Sequence, residues 1–105
     1  MRILLDECIP RPLGSLLAGH DVTTVQRQGW AGTTNGKLLA LIEGAAFEAF
    51  VTMDKGLPQQ QELHARSFGT VILKARSNKL EALASLVPGI LAALGTIKPG
   101  QVVSV

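Results

Sequence analysis

Acidic side chains follow two separate apolar segments of this chain, and they are the groups best suited to chemistry. Asp6 and Glu7 come directly after the segment RILL, and Asp54 comes directly after AFVTM. Asn35 adds an amide oxygen at the start of a segment with helical spacing. Carboxylate and amide oxygens suit hard cations such as Mg²⁺ and Mn²⁺. These four residues therefore predict a divalent-cation site for phosphodiester hydrolysis, with Asp6 and Asp54 as the catalytic pair.

Each of these residues also has a structural interpretation. An Asp after a strand often caps a turn or the next helix, and Asp54 stands before a Lys-Gly pair that favours a turn. Asn35 is a good helix N-cap, so capping explains it as well as metal binding does. Glu7 could point away from a site that Asp6 forms. The sequence leaves these alternatives open.

Basic residues are expected beside the same strand ends. Lys55, Lys74 and Arg76 follow the third and fourth predicted strands, where they could contact phosphate, although they could equally be solvated surface charges. His20 and His64 are not spaced with other metal ligands, and we predict that both are surface residues.

Alternating apolar segments must position these groups. Strands are predicted over residues 2–5, 21–25, 49–53, 70–75 and 101–105, and helices over 10–19, 33–45, 59–66 and 79–94. Pro88 and Gly89 should kink or divide the last helix. The alternation predicts a single three-layer α/β/α domain over residues 1–105, with a mostly parallel sheet of about five strands.

A parallel sheet explains how residues distant in the sequence could meet. In open sheets of this kind, functional groups collect outside the carboxyl ends of the strands. Asp6 and Asp54 end two of the predicted strands, and Asn35 starts the helix that follows a third. We therefore expect Asp6 and Asp54 on adjacent strands, with Asn35 on the same edge.

Composition limits the other possibilities. Hydrophobic residues make up 47% of the chain and charged residues 17%, with a net charge of +2. This mild basic excess permits contact with nucleic acid. The high apolar content favours either a homodimer or a core rich in Leu, Val and Ala. No apolar run has the length of a membrane span, and acidic residues interrupt the amino-terminal segment, so we expect a cytoplasmic protein.

The single cysteine excludes an internal disulfide. Cys8 follows Asp6 and Glu7, whose negative charges should raise the pKa of its thiol and make it a poor nucleophile. We predict that Cys8 is a small, buried, structural residue.

Two segments resemble a known family. The stretch MRILLDECIPRPLGSLLAGHDVTTVQRQGWAG, followed later by AFVTMDKGL, is similar to the compact PIN-like family, and the likeness runs from Met1 to about Arg76. Members are often described as toxins of bacterial toxin–antitoxin pairs. The resemblance implies a PIN-like fold, metal-dependent ribonuclease activity with weakly bound Mg²⁺ or Mn²⁺, an RNA substrate and a small antitoxin protein as partner.

The resemblance carries over to some site residues and fails at others. The first acid of the family falls on Asp6, with an adjacent acid at Glu7, and its late strand-end acid falls on Asp54. Family members often have Asp where this chain has Asn35, and a second late Asp where it has Gly56. Both departures remove negative charge from the predicted metal site.

The sequence is also compatible with two other functions. A degenerate PIN-like module that binds a partner without catalysis would explain the missing acids at positions 35 and 56. A receiver-like phosphoacceptor domain would also have acids after its first and third strands, and it would end on a Lys-Pro pair such as Lys98-Pro99. A receiver, however, continues into a helix at that point, whereas this chain has another predicted strand.

Overall fold

A five-stranded parallel sheet forms the centre of the molecule. The computed structural model describes all 105 residues, and it orders the strands β2-β1-β3-β4-β5 with every neighbouring pair parallel. The strands are β1 (Arg2–Leu5), β2 (Asp21–Thr24), β3 (Ala49–Thr52), β4 (Gly69–Ile72) and β5 (Val102–Ser104). The predicted three-layer α/β class with a mostly parallel sheet is confirmed.

Helical segments connect the strands and cover both faces of the sheet. In chain order they are a first 3₁₀ helix (Arg11–Leu16), α1 (Asn35–Gly44), α2 (Leu57–Gln60), a second 3₁₀ helix (Leu63–Ala65), α3 (Leu80–Ala84) and α4 (Val87–Thr96). None of these helices is both long enough and apolar enough to cross a bilayer.

Two apolar cores lie on opposite faces of the sheet because successive strand residues alternate sides. On one face, Ile3 and Leu5 pack with Leu13 of the first 3₁₀ helix and with Leu83 and Ile90 of α3 and α4. The other core contains Leu4, Leu38, Ile42, Phe50, Leu57 and Phe68. Because both faces are covered, β1, β3 and β4 are nearly continuous apolar runs rather than alternating ones.

Helix lengths differ from the sequence expectation where proline and glycine act. The segment after Pro10 forms a 3₁₀ helix instead of an α-helix. A Cβ atom at Gly14 would lie 3.0 Å from Cγ1 of Val22, so glycine lets this helix pack closely against β2. The helix predicted over 59–66 is two short segments, α2 and the second 3₁₀ helix. The helix predicted over 79–94 is divided, as expected. Its break precedes Pro88, which then occupies the first turn of α4, where its missing N–H costs nothing.

An ion pair fixes the connection that leads into β4. Glu43, near the end of α1, accepts a 2.6 Å hydrogen bond from Arg66 and a 3.0 Å bond from the backbone amide of Ser67. The bond from Arg66 and the amide of Ser67 hold the pKa of the Glu43 carboxyl below its ordinary value. The ionised carboxylate therefore ties α1 to the segment that enters the sheet at Gly69.

We predict that Glu43→Gln lowers the free energy of unfolding at neutral pH and changes it little at acidic pH. Because the pKa is lower in the folded state, the stabilisation is present above the unfolded pKa and disappears as pH falls through the folded pKa. Urea denaturation at pH 7 and pH 3 measures this difference. Glu62→Gln, at an exposed carboxylate, is the control. An equal destabilisation by Glu43→Gln at both pH values would contradict the ionic role of Glu43.

Candidate functional site

The strand order creates a switch point between β1 and β3. From β1 the chain moves to β2 on one side, and from β2 it crosses back over β1 to β3 on the other. Ligands of open α/β sheets bind at such a point, outside the carboxyl ends of the strands. Asp6 follows β1 here, and its amide donates a 2.9 Å hydrogen bond to the Val51 carbonyl of β3.

The hydroxyl of Thr52 links Asp6 to Asp54. It donates a 2.7 Å hydrogen bond to Oδ2 of Asp6 and accepts a 3.0 Å bond from the backbone amide of Asp54. Thr52 is fully buried at the end of β3, so this hydroxyl has no access to water. Asp6 and Asp54 are therefore neighbours at adjacent strand ends, as their positions after two apolar segments predicted.

Local backbone contacts orient both carboxylates. Oδ1 of Asp6 accepts a 2.8 Å hydrogen bond from the amide of Glu7, and Oδ1 of Asp54 accepts a 2.9 Å bond from the amide of Gly56. The second contact is the turn-capping role foreseen for Asp54. Oδ2 of Asp54 makes no hydrogen bond with the protein, so Asp54 caps its turn and keeps one oxygen without a protein partner.

Glu7 makes its contact with a different part of the molecule. Its Oε1 accepts a 2.8 Å hydrogen bond from the amide of Gly32, in the loop between β2 and α1. Gly32 has φ of +78°, a conformation that suits glycine. The Glu7 carbonyl accepts a further 3.1 Å bond from the Gln26 side chain. Glu7 thus braces this loop, while Thr52 connects only Asp6 and Asp54.

Asn35 occupies the first position of α1, directly after the N-cap residue Thr34. Its side chain is half-buried and makes no hydrogen bond with the protein. The capping alternative for Asn35 is wrong in detail, because Thr34 holds the cap position. No group of three or more His, Cys, Asp or Glu side chains is arranged to hold a metal ion, so Asp6, Glu7 and Asp54 do not form a three-carboxylate cluster.

The three predicted phosphate-contacting residues lie in loops after β3 and β4. Lys55 directly follows Asp54, and Lys74 and Arg76 stand in the segment between β4 and α3. All three side chains are exposed, and none forms an ion pair with an acidic residue. Their positive charges are therefore available on the edge of the sheet that carries Asp6 and Asp54.

Cys8 adjoins the acidic pair. Burial raises the pKa of its thiol above the ordinary value, and the nearby Asp6 carboxylate raises it further, against the opposing effect of a hydrogen bond with the Met53 backbone. The predicted direction of the pKa shift is confirmed, although burial is the larger cause. Cys8 is half-buried rather than fully buried as predicted, and it packs against the core that contains Ile3 and Leu5. Its protonated thiol is a poor nucleophile.

Sequence reasoning missed Thr52 and misjudged His20. Thr52 is a polar residue at the end of a buried strand, and this position is the one sequence feature that could have indicated its role. His20, predicted to lie on the surface, is half-buried, and its Nδ1 atom is shielded from solvent without a hydrogen-bond partner. His64 is exposed, as predicted.

Comparison of the chain with protein-family models, with curated proteins and with solved structures finds no match. The site must therefore be interpreted from its own chemistry. That chemistry consists of two carboxylates at a sheet switch point, where a buried hydroxyl joins the Asp6 carboxylate to the backbone amide of Asp54, with cationic side chains in the adjoining loops.

We predict that Thr52→Val lowers the free energy of unfolding by about 1–3 kcal/mol, because it leaves an oxygen of Asp6 and the amide of Asp54 without their partner. The two side chains have nearly the same shape, so lost packing contributes little. Thr70→Val is a matched control, since Thr70 is also buried in a central strand but makes no side-chain hydrogen bond. Chemical denaturation of both variants measures the effect. Equal stability of the two would show that the Thr52 link has no energetic role.

Proposed function

We propose that this protein is a metal-dependent ribonuclease that hydrolyses RNA phosphodiester bonds at Asp6 and Asp54. The observation that carries the proposal is the pair of acids at the β1/β3 switch point, where the Thr52 hydroxyl ties the Asp6 carboxylate to the backbone amide of Asp54. The resemblance of the amino-terminal segments to the PIN-like family supports the same activity.

The residues present fit a weakly bound Mg²⁺ or Mn²⁺ ion. Mg²⁺ keeps several waters and is commonly bound by one or two carboxylates together with substrate phosphates, so a large cluster of acids is not required. Oδ2 of Asp54 has no protein partner, and each oxygen of Asp6 accepts only one hydrogen bond and retains a lone pair. Glu7 would contribute a further oxygen only by giving up its hydrogen bond with the Gly32 amide, whereas Asn35 has no hydrogen bond to give up.

When bound, a divalent ion lowers the pKa of its water and offsets charge on the phosphate. The residues of the chain hold and orient the two carboxylates. Thr52 and the Glu7 amide keep the Asp6 carboxylate in one rotamer, and the Gly56 amide does the same for Asp54. Such preorganisation reduces the cost of assembling the site around a substrate.

Lys55, Lys74 and Arg76 are proposed to contact the RNA backbone. They are exposed, lack acidic partners and stand in the loops after β3 and β4. Contacts with phosphate position the nucleic acid without reading its sequence. This arrangement predicts cleavage with little base preference.

The partners and location implied by the resemblance belong to the same proposal. A toxin of this type acts in the cytoplasm and is bound by a small antitoxin protein. A mean hydropathy of +0.30 and the exposed apolar side chains of Leu16, Leu41 and Val102 support a covered surface, in a homodimer or in the antitoxin complex.

A second candidate is a module that binds a partner without catalysis. The observation in its favour is the absence of a third acid, since Asn35 and Gly56 stand where acids are common in the family. Two carboxylates alone would leave metal binding dependent on the substrate. Titration with Mn²⁺ by calorimetry, together with the cleavage assay, separates this candidate from the nuclease.

The receiver-like alternative finds mixed support. The strand order β2-β1-β3-β4-β5 is the flavodoxin-like one, which receivers share. Lys98 and Pro99, however, come before β5, on the edge of the sheet opposite to Asp6 and Asp54. A lysine there does not reach a phosphorylated aspartate, so this alternative ranks last.

We predict that Asp6→Asn and Asp54→Asn each reduce Mn²⁺-dependent cleavage of single-stranded RNA by at least about a hundredfold. An amide preserves the shape but removes the anion that holds the metal, which costs several kcal/mol of transition-state stabilisation. Cleavage of a labelled RNA with and without EDTA measures the loss. Glu62→Gln removes an exposed carboxylate elsewhere and should retain full activity.

Restoring acids provides the converse test. An ideal Cβ at Gly56 lies 3.4 Å from Oδ1 of Asp54, in ordinary van der Waals contact, and Gly56 has a helical conformation that any residue adopts. Asn35→Asp with Gly56→Asp should therefore fold and bind Mn²⁺ more tightly by calorimetry. A wild type without metal-dependent cleavage, together with a double variant that binds Mn²⁺ no better, would transfer the assignment to the binding module.

A further inference from the structure

Two adjoining cavities lie along the edge strand β2, outside the site described above. The first has a volume of about 350 Å³ and runs past His20, Val22 and Thr23. The second has a volume of about 320 Å³ and lies at the carboxyl end of the strand. Arg11, Thr24 and Arg27 line both cavities, so the two arginines stand where the cavities meet.

Neither arginine has an acidic partner. The ion pairs of the molecule are Arg2 with Asp21 and Arg66 with Glu43, and both Arg11 and Arg27 are exposed. Asp21 lines the first cavity at the start of β2, the far end from Arg27, and Arg2 lies 3.9 Å from its carboxylate. The carboxyl end of the groove therefore carries two uncompensated guanidinium groups, each a planar donor suited to phosphate.

Further hydrogen-bond donors face this groove. β2 pairs only with β1, so the N–H groups on its outer edge have no strand partner. His20 lines the same cavity, and its Nδ1 atom is shielded from solvent without a hydrogen-bond partner. A shielded polar atom of this kind is satisfied when a ligand or a water molecule enters the cavity.

Two direct contacts connect the groove to the acidic pair. Ile9 lines the second cavity, and its amide donates a 3.0 Å hydrogen bond to the carbonyl of Asp6. Gln26 lines the same cavity and donates a 3.1 Å bond to the carbonyl of Glu7. The segment from Asp6 to Ile9 is thus the wall shared by the groove and the switch-point site.

We propose that the groove along β2 binds the backbone phosphate of a single-stranded RNA through Arg11 and Arg27. The RNA then passes over the carboxyl edge of the sheet toward Asp6 and Asp54. An acidic peptide would also meet two arginines, but continuity with the acidic pair favours a chain of phosphodiesters. The inference deepens the proposed function, on which its choice of RNA rests, and its test does not require cleavage.

The test measures binding of a fluorescent oligouridylate by anisotropy in EDTA, so that no hydrolysis occurs. Arg11→Ala and Arg27→Ala should each weaken binding by about tenfold, as expected when one charged hydrogen bond is lost. In the double variant, the slope of log K against log salt should decrease in magnitude by about 1.4, since each phosphate contact contributes about 0.7. Lys98→Ala, which removes one exposed charge from the opposite edge of the sheet, should leave both quantities unchanged.

Equal losses for Lys98→Ala and the arginine variants would overturn the proposal, because any cationic surface would then suffice. The proposal would also be overturned if the protein bound a glutamate peptide more tightly than an RNA of the same charge. It would be overturned as well if the groove bound inorganic phosphate while the protein failed to bind RNA. The outcome is independent of the nuclease test. If the wild type binds RNA through the arginines but never cleaves it, the groove proposal stands and the nuclease proposal fails. If the wild type cleaves RNA and the arginine variants bind RNA as tightly as the wild type, the nuclease proposal stands and the groove proposal fails.

Discussion

The buried hydroxyl of Thr52 joins the two strand ends on which the proposed site depends. By donating to Asp6 and accepting from the amide of Asp54, it holds a carboxylate of β1 beside the turn that follows β3. No other side chain bonds to either aspartate, so this hydroxyl is the direct polar link between the Asp6 carboxylate and the backbone of Asp54. The link exists only because β1 and β3 are adjacent and parallel, with Leu5 level with Val51.

Residues close to the Thr52 hydroxyl have the other structural and electrostatic roles at this edge of the sheet. The protonated thiol of Cys8 fills space beside Asp6, and Glu7 secures the loop that leads to α1 through Gly32. Cationic side chains then stand in the loops after β3 and β4 on one side and along β2 on the other. Asp6 and Asp54 thus lie at an edge of the sheet where the surrounding positive charges favour the binding of a polyanion.

Much of the fold could be predicted because it follows from local patterns. Apolar runs located all five strands to within a few residues, and their alternation with helical segments implied a parallel sheet. Asp6 and Asp54 were predicted neighbours because parallel strands end at a common edge. Proline rules anticipated a divided last helix, although its break precedes Pro88 because proline fits a first turn.

Other features depended on tertiary contacts that no local pattern records. Thr52 donates its hydrogen bond to Asp6, which follows a different strand and lies 46 positions earlier in the sequence. The groove at Arg11 and Arg27 exists because β2 is an edge strand, which only the strand order reveals. His20 was misplaced for the same reason, since its burial arises from packing beside β2. Glu7 was grouped with Asp6 because the two are adjacent in sequence, although Glu7 contacts the loop at Gly32.

The most direct test of the account is the location of a paramagnetic ion, followed by NMR during a titration with Mn²⁺. If Asp6 and Asp54 hold the ion, the amide signals of Glu7, Asp54 and Gly56 should broaden first, while those of Lys98 and Gly100 on the opposite edge remain sharp. Asp54→Asn should remove this selectivity. Uniform broadening, or broadening centred on residues away from the β1/β3 switch point, would contradict the central claim.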